Sequence, residues 1–306
     1  MSNNVKKLAI IIPTYNRKLT VKKAIDSVLN QTYPHIKCIV VDDCSEDDTY
    51  EELSSSYQEK ITIFRMDKNS GQSACRNLGA KKAETEFISF LDSDDFIYEN
   101  AVSSRMDLIK NSDSLIPFGL FKTPSNRWEK LIKQKKKGEK LSLDEYIKNR
   151  SWCNNNSFIV KKDDFLKVGG YNINLRDKED VELILKLMAI QDFIFCGELI
   201  GEVTTVCSGT RQRERYDLII AQGNEFTESI KKNNLLMEKL GETFNSLLAE
   251  ECDGILRALY RSNMYEEFRK KYLFFLKSNL IKDKKAFFKR FLLSYVLQLI
   301  KTRHSP

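Results

Sequence analysis

Short apolar runs alternate with amphipathic stretches through the first third of the chain, and the runs end in polar clusters. Leu8 to Ile12 is unbroken aliphatic sequence closed by Pro13, the pattern of a buried strand. Thr20 then caps a helix running to about Asn30, with Val21, Ala24, Ile25, Val28 and Leu29 on one face. Ile36 to Val41 is a second strand, ending in Asp42-Asp43, and a helix follows from about Asp47. Ile61 to Phe64 is a third strand, Gly71 to Lys82 a short helix, and Glu86 to Leu91 a fourth strand. This βαβαβαβ order predicts an α/β fold with a mostly parallel sheet and helices on both faces. Ligands of such sheets bind beyond the carboxyl ends of the strands. Pro13-Thr14-Tyr15, Asp42-Asp43 and Asp92-Ser93-Asp94 all fall at such ends, so the pattern gathers three polar clusters on one edge.

The last of these clusters is the most pointed. Phe90-Leu91 runs directly into Asp92-Ser93-Asp94-Asp95, and three carboxylates within four residues repel one another unless a cation lies among them. Hard oxygen donors suit Mg²⁺ or Mn²⁺. A divalent cation at a strand end would take a phosphorylated ligand; a solvated acidic turn with capping Asp residues is the other reading.

The remainder of the chain is less regular. Residues 122 to 160 hold a basic run, Lys133 to Lys140, read as a solvated loop, and an unusual polar stretch from Trp152 to Asn156. From about Tyr216 the sequence reads as helical to the end. The last helix, Lys284 to Arg303, mixes Phe287, Phe288, Phe291, Leu292, Leu293, Val296, Leu297 and Ile300 with Lys and Arg, the apolar residues favouring one face. Two domains follow: 1–215, regular in its βα alternation to about 95 and less regular from 96, and a helical region over 216–306.

Charge refines this division. The formal net charge of the 306 residues is +7, yet residues 266–306 alone carry 11 Lys/Arg against 3 Asp/Glu. The basicity belongs to the tail, which argues against a nucleic-acid-binding protein. No apolar stretch approaches the roughly 18 residues that cross a bilayer. Leu8 to Ile12 reads as a strand rather than a leader, and the seven cysteines form no CxxC pair. These features suggest reduced thiols and a cytoplasmic protein. With only His35 and His304 present, a histidine base is not expected. Neither GxGxxG nor GxxxxGK[ST] occurs, against dinucleotide and P-loop sites.

Taken together, the motifs resemble the family 2 glycosyltransferases of the GT-A fold. The segments are Ile10-Ile-Ile-Pro-Thr-Tyr-Asn-Arg17, Ser27-Val-Leu-Asn-Gln-Thr32, Val40-Val-Asp-Asp-Cys-Ser45, Asn69 to Gly79, Phe90 to Asp95, Val168-Gly-Gly-Tyr171 and Glu179-Asp-Val-Glu-Leu183. The resemblance implies a mixed, mostly parallel sheet flanked by helices, here with a C-terminal helical extension, and within 1–215 a nucleotide-binding half to about 95 and an acceptor half from about 96. It implies that Pro13, Thr14 and Tyr15 hold the uracil of a UDP-sugar, with Tyr15 stacking on the base. Asp43 would accept from uracil N3–H, Asn69 and Arg76 would contact the nucleotide, and Asp92 and Ser93 would face ribose and metal. Asp94, with Asp92, would bind Mn²⁺ or Mg²⁺, which neutralises the diphosphate. Inversion at the sugar needs a carboxylate base, and Asp180 matches that position, with Glu179 beside it to orient the acceptor. Trp152 and Asn154 to Asn156, Asn155 among them, are candidate acceptor contacts; core packing is the alternative for Trp152.

One departure concerns the segment after the base. Family members often carry a His or Arg there that closes over the diphosphate. Here Cys207 to Arg215 has no His, which leaves Arg211 or Arg213 for that role. The Gln-x-x-Arg-Trp signature of processive synthases is absent, so one or a few sugars per encounter are expected. The expected acceptor is a saccharide or lipid-linked saccharide of capsule, O-antigen or wall synthesis. The tail would either lie on the anionic inner face of the cell membrane, or pack on protein, in this chain or in a homo-oligomer. A nucleotidyltransferase and a non-catalytic nucleotide-binding scaffold are the competing functions; the first lacks its glycine-rich loop near Pro13, the second leaves the acids without purpose.

Overall fold

The computed structural model describes residues 5–110, 114–124, 126–204 and 211–303. The chain forms two compact units, one made of residues up to 173 together with 179–206, the other of 174–178 together with 207–306. The division near 206 lies ahead of the expected 215, and the short piece 174–178 joins the helical unit rather than the first.

The first unit contains strands β1 (Leu8–Thr14), β2 (Ile36–Asp42), β3 (Thr62–Arg65), β4 (Phe87–Phe90), β5 (Phe96–Ile97), β6 (Leu115–Lys122), β7 (Lys140–Leu141), β8 (Ile159–Lys161) and β9 (Asp192–Glu202). Its helices are α1 (Thr20–Leu29), α2 (Thr49–Tyr57), α3 (Gln72–Lys82), α4 (Ala101–Met106), α5 (Arg127–Leu131), α6 (Leu143–Lys148), α7 (Lys162–Lys167) and α8 (Glu179–Ile190). The main sheet has the order β3-β2-β1-β4-β8, with β1 to β4 parallel and β8 antiparallel on the edge. Every residue of β1 is buried, as expected of a parallel strand covered on both faces. One cover is α3, which approaches β1 so closely that a Cβ on Gly79 would stand 2.4 Å from Ile11 Cγ2. The order places Thr14, Asp42-Asp43 and the loop after Phe90 at the carboxyl ends of neighbouring strands.

A second sheet, of β5, β9, β6 and β7, was not legible as strands in the sequence. β6 reads Leu-Ile-Pro-Phe-Gly-Leu-Phe-Lys, and its Pro117 and Gly119 are strand breakers. Gly119 falls where the β6–β9 ladder shifts register, between Phe118 and Leu120, whereas Pro117 pairs in regular register and is tolerated because β6 lies at the edge of this sheet. At Gly119, a Cβ would come within 2.5 Å of Ile200 Cγ2, so the glycine lets β9 approach.

The second unit is built of α9 (Arg211–Lys231), α10 (Asn234–Leu240), α11 (Thr243–Arg261), α12 (Tyr265–Lys277) and α13 (Lys284–Arg303). Its core joins Cys252, Leu256, Leu259, Phe268, Tyr272 and Phe287. α13 differs from the single apolar face expected of it. Phe287, Phe291 and Ser294 turn inward; Tyr272 lies 4.9 Å from the Phe291 ring, and Arg269 donates to Ser294 O. Phe288, Leu292, Tyr295 and Val296, at i, i+4, i+7 and i+8, form a second face and are exposed. Among the described residues no helix is long and apolar enough to cross a membrane.

Candidate active site

The site begins where β1 and β2 end. Asp43 is buried, and its backbone N–H donates to Thr14 O at 2.8 Å, tying the two strand ends together. Its carboxylate accepts from Ser70 N at 2.7 Å and Gly71 N at 2.8 Å. Asp43 therefore shapes the loop before α3, in which Gly71 takes a φ of +88° that a side chain would resist. Each carboxylate oxygen keeps a further lone pair for a ligand donor. Asp42, fully buried, accepts from Ser45 N at 3.0 Å and from the Ser45 hydroxyl. Between Asp43 and Ser45, Cys44 sits half-buried at φ +62°. Thr14 Oγ1 is buried without a hydrogen-bond partner, while the Tyr15 ring is 37% exposed and Asn69 is exposed.

The acidic loop after β4 is fixed by an asparagine. Asn156 Oδ1 accepts from Asp92 N at 3.0 Å, and Asn156 Nδ2 donates to Asp95 Oδ2 at 2.7 Å. Asp95 also accepts from Thr204 N at 2.9 Å. Burial, then the charge of Asp92, pushes the Asp95 carboxyl up to about 7. Asn156 is held in turn by Arg105, fully buried, whose Nη1 donates to Asn156 O at 3.4 Å and to Ser157 O at 3.2 Å. Ser93 is buried, whereas Asp92 and Asp94 keep 33% and 23% of their side chains exposed. Arg17 Nη1 stands 3.3 Å from Asp94 Oδ2. Arg17 reaches there because Asn16, at φ +50°, turns the chain after β1 and bonds Ser45 and Glu46.

On the other side lies the start of α8. Glu179 is buried and accepts from Gln72 Nε2 at 2.7 Å. Burial, then the neighbouring charge of Asp180, raises its carboxyl to about 7, with Arg76 opposing the rise. Asp180 remains half-buried, and its Oδ1 accepts from Val181 N at 2.7 Å, which fixes it on the first turn.

Several expectations change in this geometry. Arg76, expected at the nucleotide, is fully buried, its Nη2 2.6 Å from Asp92 Oδ1 and its Nη1 3.7 Å from Glu179 Oε1. Trp152, a candidate acceptor contact, is 4% exposed and packs edge-on against Phe195, so it belongs to the core. Asn155 is buried and accepts from the Tyr171 hydroxyl at 2.8 Å. The side chains of Arg211 and Arg213 lie outside the described residues. Sequence reading missed Arg17 and Gln72, and took Asn156 for a sugar contact where it holds the acidic loop. Gln72 was detectable as the i−4 neighbour of Arg76.

Among the described residues no group of three His, Cys, Asp or Glu side chains is arranged to hold a metal ion. Two half-exposed carboxylates, Asp92 and Asp94, nonetheless suit a small hard cation. Mg²⁺ characteristically takes one or two protein carboxylates and completes its shell with phosphate oxygens and water.

The sequence profile of glycosyl transferase family 2 matches residues 9–170, just over half of the chain. The chain belongs to this family. Glu179 and Asp180 lie beyond the matched stretch. Among curated family relatives, an uncharacterised glycosyltransferase of Haemophilus influenzae is 29% identical over 206 residues, 66% of this chain and 68% of its own. The putative teichuronic acid biosynthesis glycosyltransferase TuaG of Bacillus subtilis is 28% identical over 151 residues, 49% of this chain and 60% of its own. Residues 1–349 of S. aureus TarS, solved in complex with UDP-GlcNAc, align over 92% of this chain and 90% of that one, with TM-score 0.64 and 17% identity. A longer TarS chain is covered only to 49%, with TM-score 0.61. The likeness to TarS establishes the GT-A fold.

Proposed function

We propose that this family 2 glycosyltransferase moves a sugar from a UDP-sugar to a hydroxyl of a saccharide or lipid-linked saccharide, with inversion and with Mn²⁺ or Mg²⁺. One observation carries the proposal: Asp92 at the end of β4 and Glu179 at the start of α8 both contact Arg76. The donor-side acids and the acceptor-side acids therefore belong to one site. Thr14, Tyr15, Asp43 and Asn69 surround the place for the nucleotide; TarS, of the same fold, was solved with UDP-GlcNAc. Asp94 and Asp92 would hold the cation, which supplies charge neutralisation to the diphosphate leaving group. Asp180 takes the acceptor hydroxyl proton; it is the more exposed of the two adjacent acids, and Glu179 fixes the turn that carries it. Arg17, beside Asp94, provides a second positive charge at the phosphate end.

The name of TuaG favours surface polysaccharide synthesis as the setting. The chain would then act at the cytoplasmic face of the membrane. The exposed face of α13 supports peripheral contact there. Lys284, Lys285 and Lys289 share its N-terminal half with Phe288 and Leu292, and these lysines are exposed. Such a face suits anionic lipid headgroups above an apolar boundary.

The deciding experiment measures UDP release from a panel of UDP-sugars with Mn²⁺ or with EDTA, for wild type and Asp94→Asn. Release from one donor, lost with EDTA and in the variant, supports the proposal. Absence of both UDP release and UDP binding would reject it.

A further inference from the structure

We propose that Arg76 is a positioning residue that couples the donor side of the site to the acceptor side by bridging Asp92 and Glu179. The inference rests on the glycosyl-transfer function proposed above, in which Asp92 serves the donor and Asp180, next to Glu179, serves the acceptor.

Arg76 lies one turn into α3 and is fully buried. Its planar fork is shared between two elements far apart in sequence. Nη2 reaches Asp92 Oδ1 at 2.6 Å and Gln72 Oε1 at 3.1 Å. Nη1 faces Glu179 Oε1 at 3.7 Å. Gln72, one turn earlier on the same helix face, completes the ring by donating to that same Glu179 oxygen at 2.7 Å. The Tyr171 ring flanks the guanidinium, its centroid 5.2 Å from Cζ. Tyr171 is itself tied through backbone N and O to Asn77 on α3, at 2.9 Å each.

Stability alone does not account for this arrangement. A buried ion triad is on average no more stabilising than well-packed apolar residues. Here the desolvation is incompletely compensated, because Nε and Nη1 are buried without hydrogen-bond partners. What the arrangement provides is geometry. A guanidinium is rigid and presents its donors in fixed directions. The position of Asp92 therefore constrains that of Glu179, and with it the first turn of α8 that carries Asp180. A lysine could satisfy one of the two acids but could not span both.

The test is a double-mutant cycle in the full chain. Asp92→Asn, Glu179→Gln and their combination are assayed for UDP release from the donor that wild type turns over, and for UDP binding by calorimetry. The same three are made in an Arg76→Lys background. Coupling through Arg76 predicts that Asp92→Asn raises KM for the donor and Glu179→Gln lowers kcat. In combination they lose about tenfold less than the product of the single losses, as groups within one network do. In the Arg76→Lys background the two losses multiply, and Arg76→Lys alone lowers kcat about 100-fold while UDP affinity changes less, the signature of misplacement rather than lost binding. Independent losses in the wild-type background overturn the coupling, and that arm does not need the Arg76 variant to fold. A wild type that neither binds UDP nor releases it overturns the glycosyl-transfer proposal and this one together. A wild type that turns over while the two losses multiply overturns this one alone.

Discussion

Asn156 Nδ2 lies 2.7 Å from Asp95 Oδ2, an amide donating to a carboxylate that is almost wholly buried. The same amide, through its oxygen, holds the backbone of Asp92. Asn156→Ala leaves Asp95 with a single backbone donor and frees the loop that carries Asp92 and Asp94. The expected loss of stability is about 1–3 kcal/mol, the range for a buried polar group deprived of its partner. Thermal unfolding followed by circular dichroism measures it, and a parallel loss of metal-dependent UDP release would show that the loop, and not only the fold, depends on the amide.

Asp180→Asn keeps the side-chain shape and the oxygen that accepts from Val181, and removes the proton acceptor. The expected outcome is a fall in kcat of roughly 10²–10⁴, the usual contribution of a general base, with donor affinity nearly unchanged. Calorimetry with UDP beside a transfer assay separates the two quantities. A variant with wild-type kcat would remove Asp180 from the chemistry.

The carboxyl of Glu179 lies near 7 in the folded chain, above its ordinary 4.5, because it is buried beside Asp180. The folded state therefore binds a proton that the unfolded state releases between these two values. The stability this gives is fully present below pH ~4.5 and is lost as pH rises through about 7. Its size is at most about 3.5 kcal/mol, since one pKa unit corresponds to ~1.4 kcal/mol. Glu179→Gln retains an acceptor for Gln72 and should flatten the decline. Comparing the melting temperatures of both proteins at pH 5.5 and 8.5 tests this: equal slopes would mean that Glu179 does not titrate in this window.

Gly79→Ala would place its Cβ 2.4 Å from Ile11 Cγ2, with Val41 Cγ2 close by at 3.3 Å. Neither branched side chain can swing away, since both lie in the buried main sheet. Overpacking of this kind costs about 1–3 kcal/mol. A lowered melting temperature is expected, and an unchanged one would show that α3 can lift from β1 at little cost.

If α13 meets lipid, Lys285→Glu with Lys289→Glu should weaken binding to vesicles containing phosphatidylglycerol at least tenfold, because each basic residue near an anionic surface contributes about 1 kcal/mol. Both side chains are exposed, so the fold should be unaffected. Flotation of the variant to the same extent as wild type would exclude the electrostatic contact.

The four parallel strands were legible because each is a mainly apolar run, and the polar clusters that stop β1, β2 and β4 form the candidate site. Strands β6 and β9 were not, because Pro117, Gly119 and Gly197 interrupt their patterns; the register shifts between them accommodate the glycines, and the edge position of β6 accommodates the proline. The acids of the site could be picked out singly, since a carboxylate cluster after an apolar run is rare. Their mutual arrangement could not. An arginine on a short helix gives no sign in sequence of pointing into the protein, as Arg76 does, Gln72 carries no charge to draw notice, and a run of asparagines does not show that Asn156 ties the acidic loop rather than a sugar. In α13 the composition was read correctly as basic and apolar, but a second apolar face was hidden by the first.

Cys44 has a practical consequence. Burial raises the thiols of Cys38, Cys75, Cys153, Cys196 and Cys252 above their ordinary value, so they are poor nucleophiles. Among the described cysteines, Cys44 alone is not buried, and it follows directly on the residue that ties β1, β2 and the Ser70–Gly71 loop together. With Cys207 replaced by serine, a maleimide fluorophore should label the native chain at this one place, giving an optical signal for nucleotide arrival that requires neither an acceptor nor turnover.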